Sequence, residues 1–295
     1  MNRSKRALIG AGVAVVAAVA ALAVYGPSCP LCKPSTDLVA PQEPPRDLLE
    51  PNPVPLSPTV ELEKMTWMEV RDRIADGFPR VIVPTGGIEQ NGPFVALNKH
   101  DLIVKGVSVR VAQLLGDTLV APTVSFVPEG NLNPPTGHMR YPGTISLSSE
   151  TFQRLLGDII TSLSLAGFKE IVVVGDSGES QADIVRAVTQ RTPENTHGAR
   201  VRYVSEFYNY DEVRAFLKER GIEEVAEPFH EELAFSLQLM ALDPQALRYE
   251  QRLRLGRERL GGVSLIDKER LTALGNEIIQ RRAARVAGVL KDAPR

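Results

Sequence analysis

Four stretches of the 295-residue chain gather side chains that could bind a cation, move a proton or attack a carbonyl. PTGGIEQNGPFVALNKHD, residues 84–101, holds Glu89, Asn91, His100 and Asp101. PEGNLNPPTGHMRYPGT, residues 128–144, holds Glu129 and His138, and GDSGES, residues 175–180, holds Asp176, Ser177 and Glu179. FHEELAFS, residues 229–236, holds His230, Glu231 and Glu232. Carboxylates and imidazoles in glycine-framed loops suit a metal site, a substrate site or general acid–base work. They also suit plainer tasks. Glu89 and Glu179 can serve the N-termini of helices that follow their loops, and His197, in ENTHGAR, reads as a turn residue. GDSGES approaches the G-x-S-x-G nucleophile elbow but has Glu179 where the second glycine belongs. A Ser177 nucleophile would need His138 or His230 within hydrogen-bond reach.

The elements carrying these loops alternate from about residue 60 onward. Thr66 precedes WMEVRDRIADG, a helix with a threonine cap and a closing glycine. RVIVPTGG reads as a strand, residues 101–115 as a helix and TLVAPTVSFV, residues 118–127, as a strand. SSETFQRLLGDIITSLSLAG is an amphipathic helix opened by serine. EIVVVGD carries an unbroken apolar run between Glu170 and Asp176, as expected of a strand covered on both faces. SQADIVRAVTQR is a helix, ARVRYVSE a strand, and the last eighty or so residues mostly helix. Alternation of this kind predicts an α/β domain on a largely parallel sheet. Ligands then gather at the carboxyl ends of the strands, where the first three polar loops begin.

Acidic and basic side chains nearly balance, 36 against 34, and no basic block follows the N-terminus, so the charge pattern gives no support for nucleic-acid binding. Arg3, Lys5 and Arg6 precede an uncharged run over residues 7–24. That pattern predicts export, through either a signal peptide cut near Ala21-Leu22-Ala23 or a retained membrane anchor, with the anchor favoured by length. Residues 27–58 contain ten of the 22 prolines and predict an extended tether. The expected organisation is therefore a signal or anchor at 1–26, a linker at 27–59 and a folded domain at 60–295. The two cysteines, Cys29 and Cys32, lie in the linker, where they read as a local disulfide of an oxidising compartment or as an incidental pair.

TWMEV, PTGGIEQNGP, PTGHMRYPGTISL, SLSLAGFKEIVVVGDSGES and GVSL occur in an order that resembles the creatininase (creatinine amidohydrolase) family over about residues 60–290. The resemblance implies a three-layer α/β/α fold with a mostly parallel sheet, a homo-oligomer (a hexamer in the family), and zinc or manganese that activates water against an amide-type C–N bond of a small molecule. Position by position it is incomplete. The family's first glutamate is Glu89, but its first histidine is Asn91 and its bridging aspartate is His100. The histidine of the Asn-Gly-His block is Ser177, and the later glutamate is Phe235. Neutral replacements at ligand positions point away from the two-metal site and toward a single divalent ion. The expected ligands are Glu89, His100 and Glu179, with Asp101 or Asp176 as a fourth. His138 is expected to orient the substrate carbonyl, His230 with Glu231 to handle protons, and Asn91, Ser177 and Asp176 to contact substrate. The rivals are a small-molecule binding protein without catalysis and a serine hydrolase using Ser177.

Overall fold

In a strand apolar at every position, alternate side chains point to opposite faces, so both faces need cover. The computed structural model of the protein, which describes residues 46–192, 194–225 and 230–292, shows this for β1 (Arg80–Thr85) and β3 (Glu170–Gly175), both buried along their whole length. They pair in parallel from Arg80↔Glu170 to Thr85↔Gly175. With β2 (Thr118–Val120) and β4 (Arg200–Tyr203) they make a four-stranded parallel sheet in the order β2-β1-β3-β4. Because β1 and β3 end at the same level, the loops after Thr85 and Gly175 leave the sheet side by side.

Val81, Val83, Ile171 and Val173 face one apolar cluster with Phe152, Leu156 and Ile160 of α3 (Ser149–Leu165) and Ile184 of α4 (Gln181–Thr189). Val70 and Ile74 of α1 (Trp67–Ala75) pack against the same cluster. Ile82, Val172 and Val174 join the opposite cluster, with Val104, Val107 and Val111 of α2 (Lys99–Leu115). That side also holds Phe216 of α5 (Tyr210–Glu219) and Leu237 of α6 (Leu233–Leu242). Tyr249 of α7 (Tyr249–Arg254) and Ile278 of α8 (Lys268–Asp292) complete it. Helices on both faces of a parallel sheet give the three layers. Each fully buried valine or isoleucine contributes roughly 1.5–3 kcal/mol.

Local signals start the helices as expected. The Thr66 hydroxyl accepts from Glu69 N while the Glu69 carboxylate accepts from Thr66 N, and Ser148 caps α3 by accepting from Thr151 N. Two elements differ from expectation. Helix α2 begins at Lys99 rather than 101, which brings Lys99 and His100 into its buried first turn. The strand expected over 118–127 stops at Val120, because Pro122 lacks a donor for the ladder. Beyond it, single bridges Thr85↔Val124 and Val127↔Ser146 carry the chain along the sheet edge toward the 128–144 loop. Residues 259–264 form a small hairpin of β5 (Arg259–Leu260) and β6 (Val263–Ser264).

The chain divides into two units, 1–51 and 52–295. In the first, the described residues include one 3-10 turn, Arg46–Leu49. The apolar run at 7–24, most of the proline-rich segment, Cys29 and Cys32 lie outside the described residues. Among the described residues, no helix is long and apolar enough to cross a membrane.

Candidate metal centre

Glu89 sits in the loop after β1, its backbone held by Leu97 O at 3.1 Å and its side chain buried. Gly86 makes this loop possible, since a Cβ there would come within 2.8 Å of the Asp101 backbone at the start of α2. Asp101 spends its carboxylate on the same loop, accepting from Gly87 N at 2.9 Å.

Three nitrogens surround Glu89 Oε1: His100 Nε2 at 2.8 Å, His230 Nε2 at 3.2 Å and Lys99 Nζ at 3.4 Å. The other oxygen, Oε2, lies 3.3 Å from His138 Nε2. Burial alone would raise the Glu89 pKa, but the contacts with His100, His230 and Lys99 outweigh it and hold the carboxylate well below its usual range. Burial and Lys99 oppose the charged form of His100, while its bonds to Asp176 and Glu89 prevail and raise its pKa. Lys99 is pulled down by burial, with Glu89 acting against this. His138 is lowered by burial, only partly offset by Glu89.

His100 is fixed from behind. Its Nδ1 lies 2.9 Å from Asp176 Oδ2 at the end of β3. Asp176 in turn accepts from Arg282 Nη2 at 2.7 Å and from the Tyr210 hydroxyl at 3.0 Å. Arg282, buried on α8, also donates to Gln238 Oε1 and Phe207 O. The His100 ring stands edge-on to Phe235, which stacks on Tyr210. With carboxylates on both ring nitrogens, His100 donates from each; were a cation to replace the Nε2 proton, Asp176 would keep the proton on Nδ1 and leave the Nε2 lone pair free to bind it.

Glu129 is a further buried acid beside this cluster. Burial, followed by the charge of Glu89, pushes its pKa up to about 10, with Ser177 acting against the rise. Two carboxyls this close in a buried site favour charge on one of them, and the contacts of Glu89 with His100, His230 and Lys99 favour it there. Gly87 makes room for it, since a side chain there would strike the Glu129 carboxyl.

The cluster opens into a cavity of ≈ 510 Å³ lined by Glu89, His100, His138, Ser177, Tyr208 and Phe235, with Glu179, Arg214, His230 and Glu232 among the other walls. Among the described residues, Glu89, His100 and His230 offer one carboxylate oxygen and two imidazole nitrogens within 4.8 Å of one another. One carboxylate and two histidines beside an open cavity fit a divalent ion of the catalytic type, with Asp176 supporting one ligand.

The expected site residues fall into two groups. Glu89, His100, His138, Ser177, Glu179 and His230 all line the cavity, although they come from four separate parts of the chain. Glu179 is exposed on the wall and stands outside the three-donor group, in which His230 takes the third place. Asn91, Asp176 and Glu231 do not line the cavity. Asn91 is buried in its own loop, donating to Glu89 O and Ala96 O, and so shapes the loop without facing substrate. Asp176 lies behind His100 and acts through it. Glu231 pairs with buried Arg252 at 2.6 Å and accepts from Phe94 N, which commits it to holding loop 92–94. Among the described residues, the close polar contacts of His138 and His230 are with Glu89 and Glu232, and neither has a hydrogen bond to Ser177. Sequence reasoning missed Lys99 and Arg282. Both occur within helical stretches where a basic residue normally faces solvent, and only the tertiary packing buries them.

Comparison with known proteins agrees with this architecture. The chain is 29% identical over 133 residues to creatinine amidohydrolase of Pseudomonas putida, covering 45% of this chain and 50% of that one. It is 30% identical over 109 residues to the mycofactocin precursor peptide peptidase of Mycolicibacterium smegmatis, covering 35% and 42%. The match thus spans about half the length of these relatives. A solved creatininase variant of Zn-Zn type superposes with a TM-score of 0.61 at 21% identity, covering 80% of this chain and 98% of that one. A manganese form of creatininase gives 0.60 at 20% identity, covering 79% and 98%. A family model described as creatininase, creatinine amidohydrolase, matches residues 63–262. With the parallel sheet and the placement of the loops at its carboxyl edge, this match shows that the chain belongs to the creatininase family.

Proposed function

We propose that the protein is a metal-dependent hydrolase of an amide-type C–N bond in a small molecule. The observation that carries this reading is the meeting of Glu89 Oε1, His100 Nε2 and His230 Nε2 at the wall of an open cavity. A divalent ion held there, zinc or manganese as in the creatininase structures, would supply Lewis acidity toward water and a carbonyl oxygen.

The chain's own residues do the rest. Asp176 holds His100 in the tautomer that presents Nε2, and Glu232 lies 3.5 Å from Nδ1 of His230 and steadies that ring in the same way. His138, at the cavity wall, is placed to orient a substrate carbonyl or to carry a proton. Tyr208 and Phe235 offer apolar surface, while Glu179, Arg214 and Asp211 supply polar contacts at the wall. The cavity volume suits a small molecule or the end of a peptide. The relatives act on creatinine and on a precursor peptide, which brackets the same range.

Export through residues 7–24 and assembly as a homo-oligomer belong to the same proposal. The first rests on the uncharged run behind Arg3, Lys5 and Arg6, the second on family resemblance.

The test is turnover of a panel of cyclic amides, creatinine included, and short peptides by the full chain with zinc or manganese. Hydrolysis should vanish in chelator and return with metal. Binding of a panel member without turnover, equal with and without metal, would favour a non-catalytic binding protein.

A further inference from the structure

We infer that Tyr208 is a catalytic residue of this centre, its hydroxyl donating a hydrogen bond to the substrate's carbonyl oxygen. The inference rests on the hydrolase reading and deepens it by naming a donor that the protein itself supplies to the reacting group.

Tyr208 ends a short 3-10 turn, Ser205–Tyr208, that follows β4. Its ring is half-buried, lines the cavity with Glu89 and His100, and stands edge-on to Tyr210 with centroids 5.4 Å apart. Tyr210 is held in turn by Asp176 and Arg282, so the Tyr208 ring has a fixed backing. Three other tyrosine hydroxyls are committed within the fold: Tyr210 donates to Asp176, Tyr249 to Leu265 O and Tyr203 to Gln181. Among the described residues, the Tyr208 hydroxyl has no such partner. A phenol packed into a protein ordinarily has one, so this donor is free for a molecule in the cavity.

Gly178 makes room for it. A Cβ at this position would stand 2.7 Å from the hydroxyl oxygen and 3.4 Å from Cζ of the ring. Gly178 also lines the cavity, in the loop after β3 whose Asp176 supports His100. The hydroxyl thus lies over the loop that positions a candidate ligand. A phenol keeps its proton at neutral pH. Burial, followed by the charges of Asp176, Glu232 and Glu89, pushes this one up to about 12.

In amide hydrolysis water adds to the carbonyl carbon and the C=O electron pair moves onto oxygen. When that pair returns, the C–N bond breaks and the nitrogen leaves with a proton from the water. Tyr208 keeps its own proton throughout. Its hydrogen bond strengthens as the oxygen becomes charged, which is how a preorganised donor lowers the barrier.

The test compares the full zinc-loaded chain with its Tyr208→Phe variant, which keeps the ring. On any cyclic amide or short peptide that wild type hydrolyses, kcat should fall about 100-fold, the usual cost of one such donor. KM, zinc content and the thermal melt should stay near wild type. Where no panel member is hydrolysed, acetohydroxamate is the probe, because it offers zinc a charged oxygen in place of the substrate's. Calorimetry should then show binding about tenfold weaker in Tyr208→Phe, the worth of a hydrogen bond to a charged oxygen. Gly178→Ala, whose methyl crowds the hydroxyl, should lower the same quantity in wild type and add nothing in the Tyr208→Phe background.

An unchanged kcat in Tyr208→Phe would overturn the inference and leave the hydrolase reading intact. In the absence of turnover, equal acetohydroxamate affinity in the two proteins would overturn it while leaving the metal site. So would a loss of kcat matched by a lower melt, which would assign Tyr208 to the fold. Losses from the two substitutions that simply multiply would also count against it. Neither turnover nor acetohydroxamate binding by zinc-loaded wild type would overturn the inference and the hydrolase reading together.

Discussion

Asp176 meets Nδ1 of His100 at 2.9 Å, and that contact decides which nitrogen of the ring faces Glu89 and the cavity. Asp176 is therefore a positioning residue. Asp176→Asn should weaken zinc binding by about 10–100-fold, the usual cost of losing an outer-shell partner. It should also destabilise the fold by about 3–5 kcal/mol, because Arg282 is left buried without its carboxylate. The two effects separate in Asp176→Asn/Arg282→Met, where denaturant unfolding should recover much of the stability while the zinc titration stays weak. Recovery of both together would mean that Asp176 acts only on the fold.

His230 joins the centre from a backbone in the left-handed region, with φ of 65°. Asparagine tolerates that conformation better than alanine does, so His230→Asn tests the ligand with least disturbance. Zinc affinity should fall by more than about 100-fold, beyond the range of outer-shell losses, with little change in the thermal melt of the metal-free protein. Equal zinc affinity in the variant and wild type would remove His230 from the ligand set.

Glu231 pairs with Arg252 deep in the protein and holds the backbone of Phe94. Glu231→Gln should cost stability, on the order of 3–5 kcal/mol if the pair breaks completely, and leave zinc content at the wild-type level. Loss of turnover with an unchanged unfolding curve would return Glu231 to the chemistry.

Glu170 opens β3 and gathers Arg80, Arg200 and Arg202. Burial alone would raise its pKa, but these arginines, Arg80 foremost, bring it below the ordinary value of 4.5. A carboxylate whose folded pKa lies below its unfolded one stabilises the fold fully above the unfolded value. That contribution disappears as pH falls through the lower folded value. The stability difference between wild type and Glu170→Gln should thus be constant near neutral pH and shrink as pH drops below 4.5. A difference that grows in acid would contradict the assignment.

Much of the fold was legible because periodicity is a local signal. The unbroken apolar run IVVV after Glu170 announced a strand covered on both faces, the β-branched VIV after Arg80 announced a strand, and Thr66 and Ser148 announced helix starts. The loops at the strand ends were legible for the same reason, since position in an α/β sheet follows from order along the chain. The roles within the site were less so. Whether Glu231 faces the cavity or Arg252 depends on a side-chain direction that its neighbours in sequence do not determine. His230, and not Glu179, joins the candidate three-donor group for a similar reason: both reach the cavity, but of the two His230 comes close to Glu89. Lys99 shows the limit most clearly, because nothing in ALNKHD marks its lysine as buried.

The most direct measurement is anomalous diffraction at the zinc edge from crystals of the zinc-loaded protein. The account predicts one peak per chain, in contact with Glu89, His100 and His230 and open to the cavity. An ion bound elsewhere, or the three side chains bonded to one another with zinc in excess and no peak among them, would contradict it.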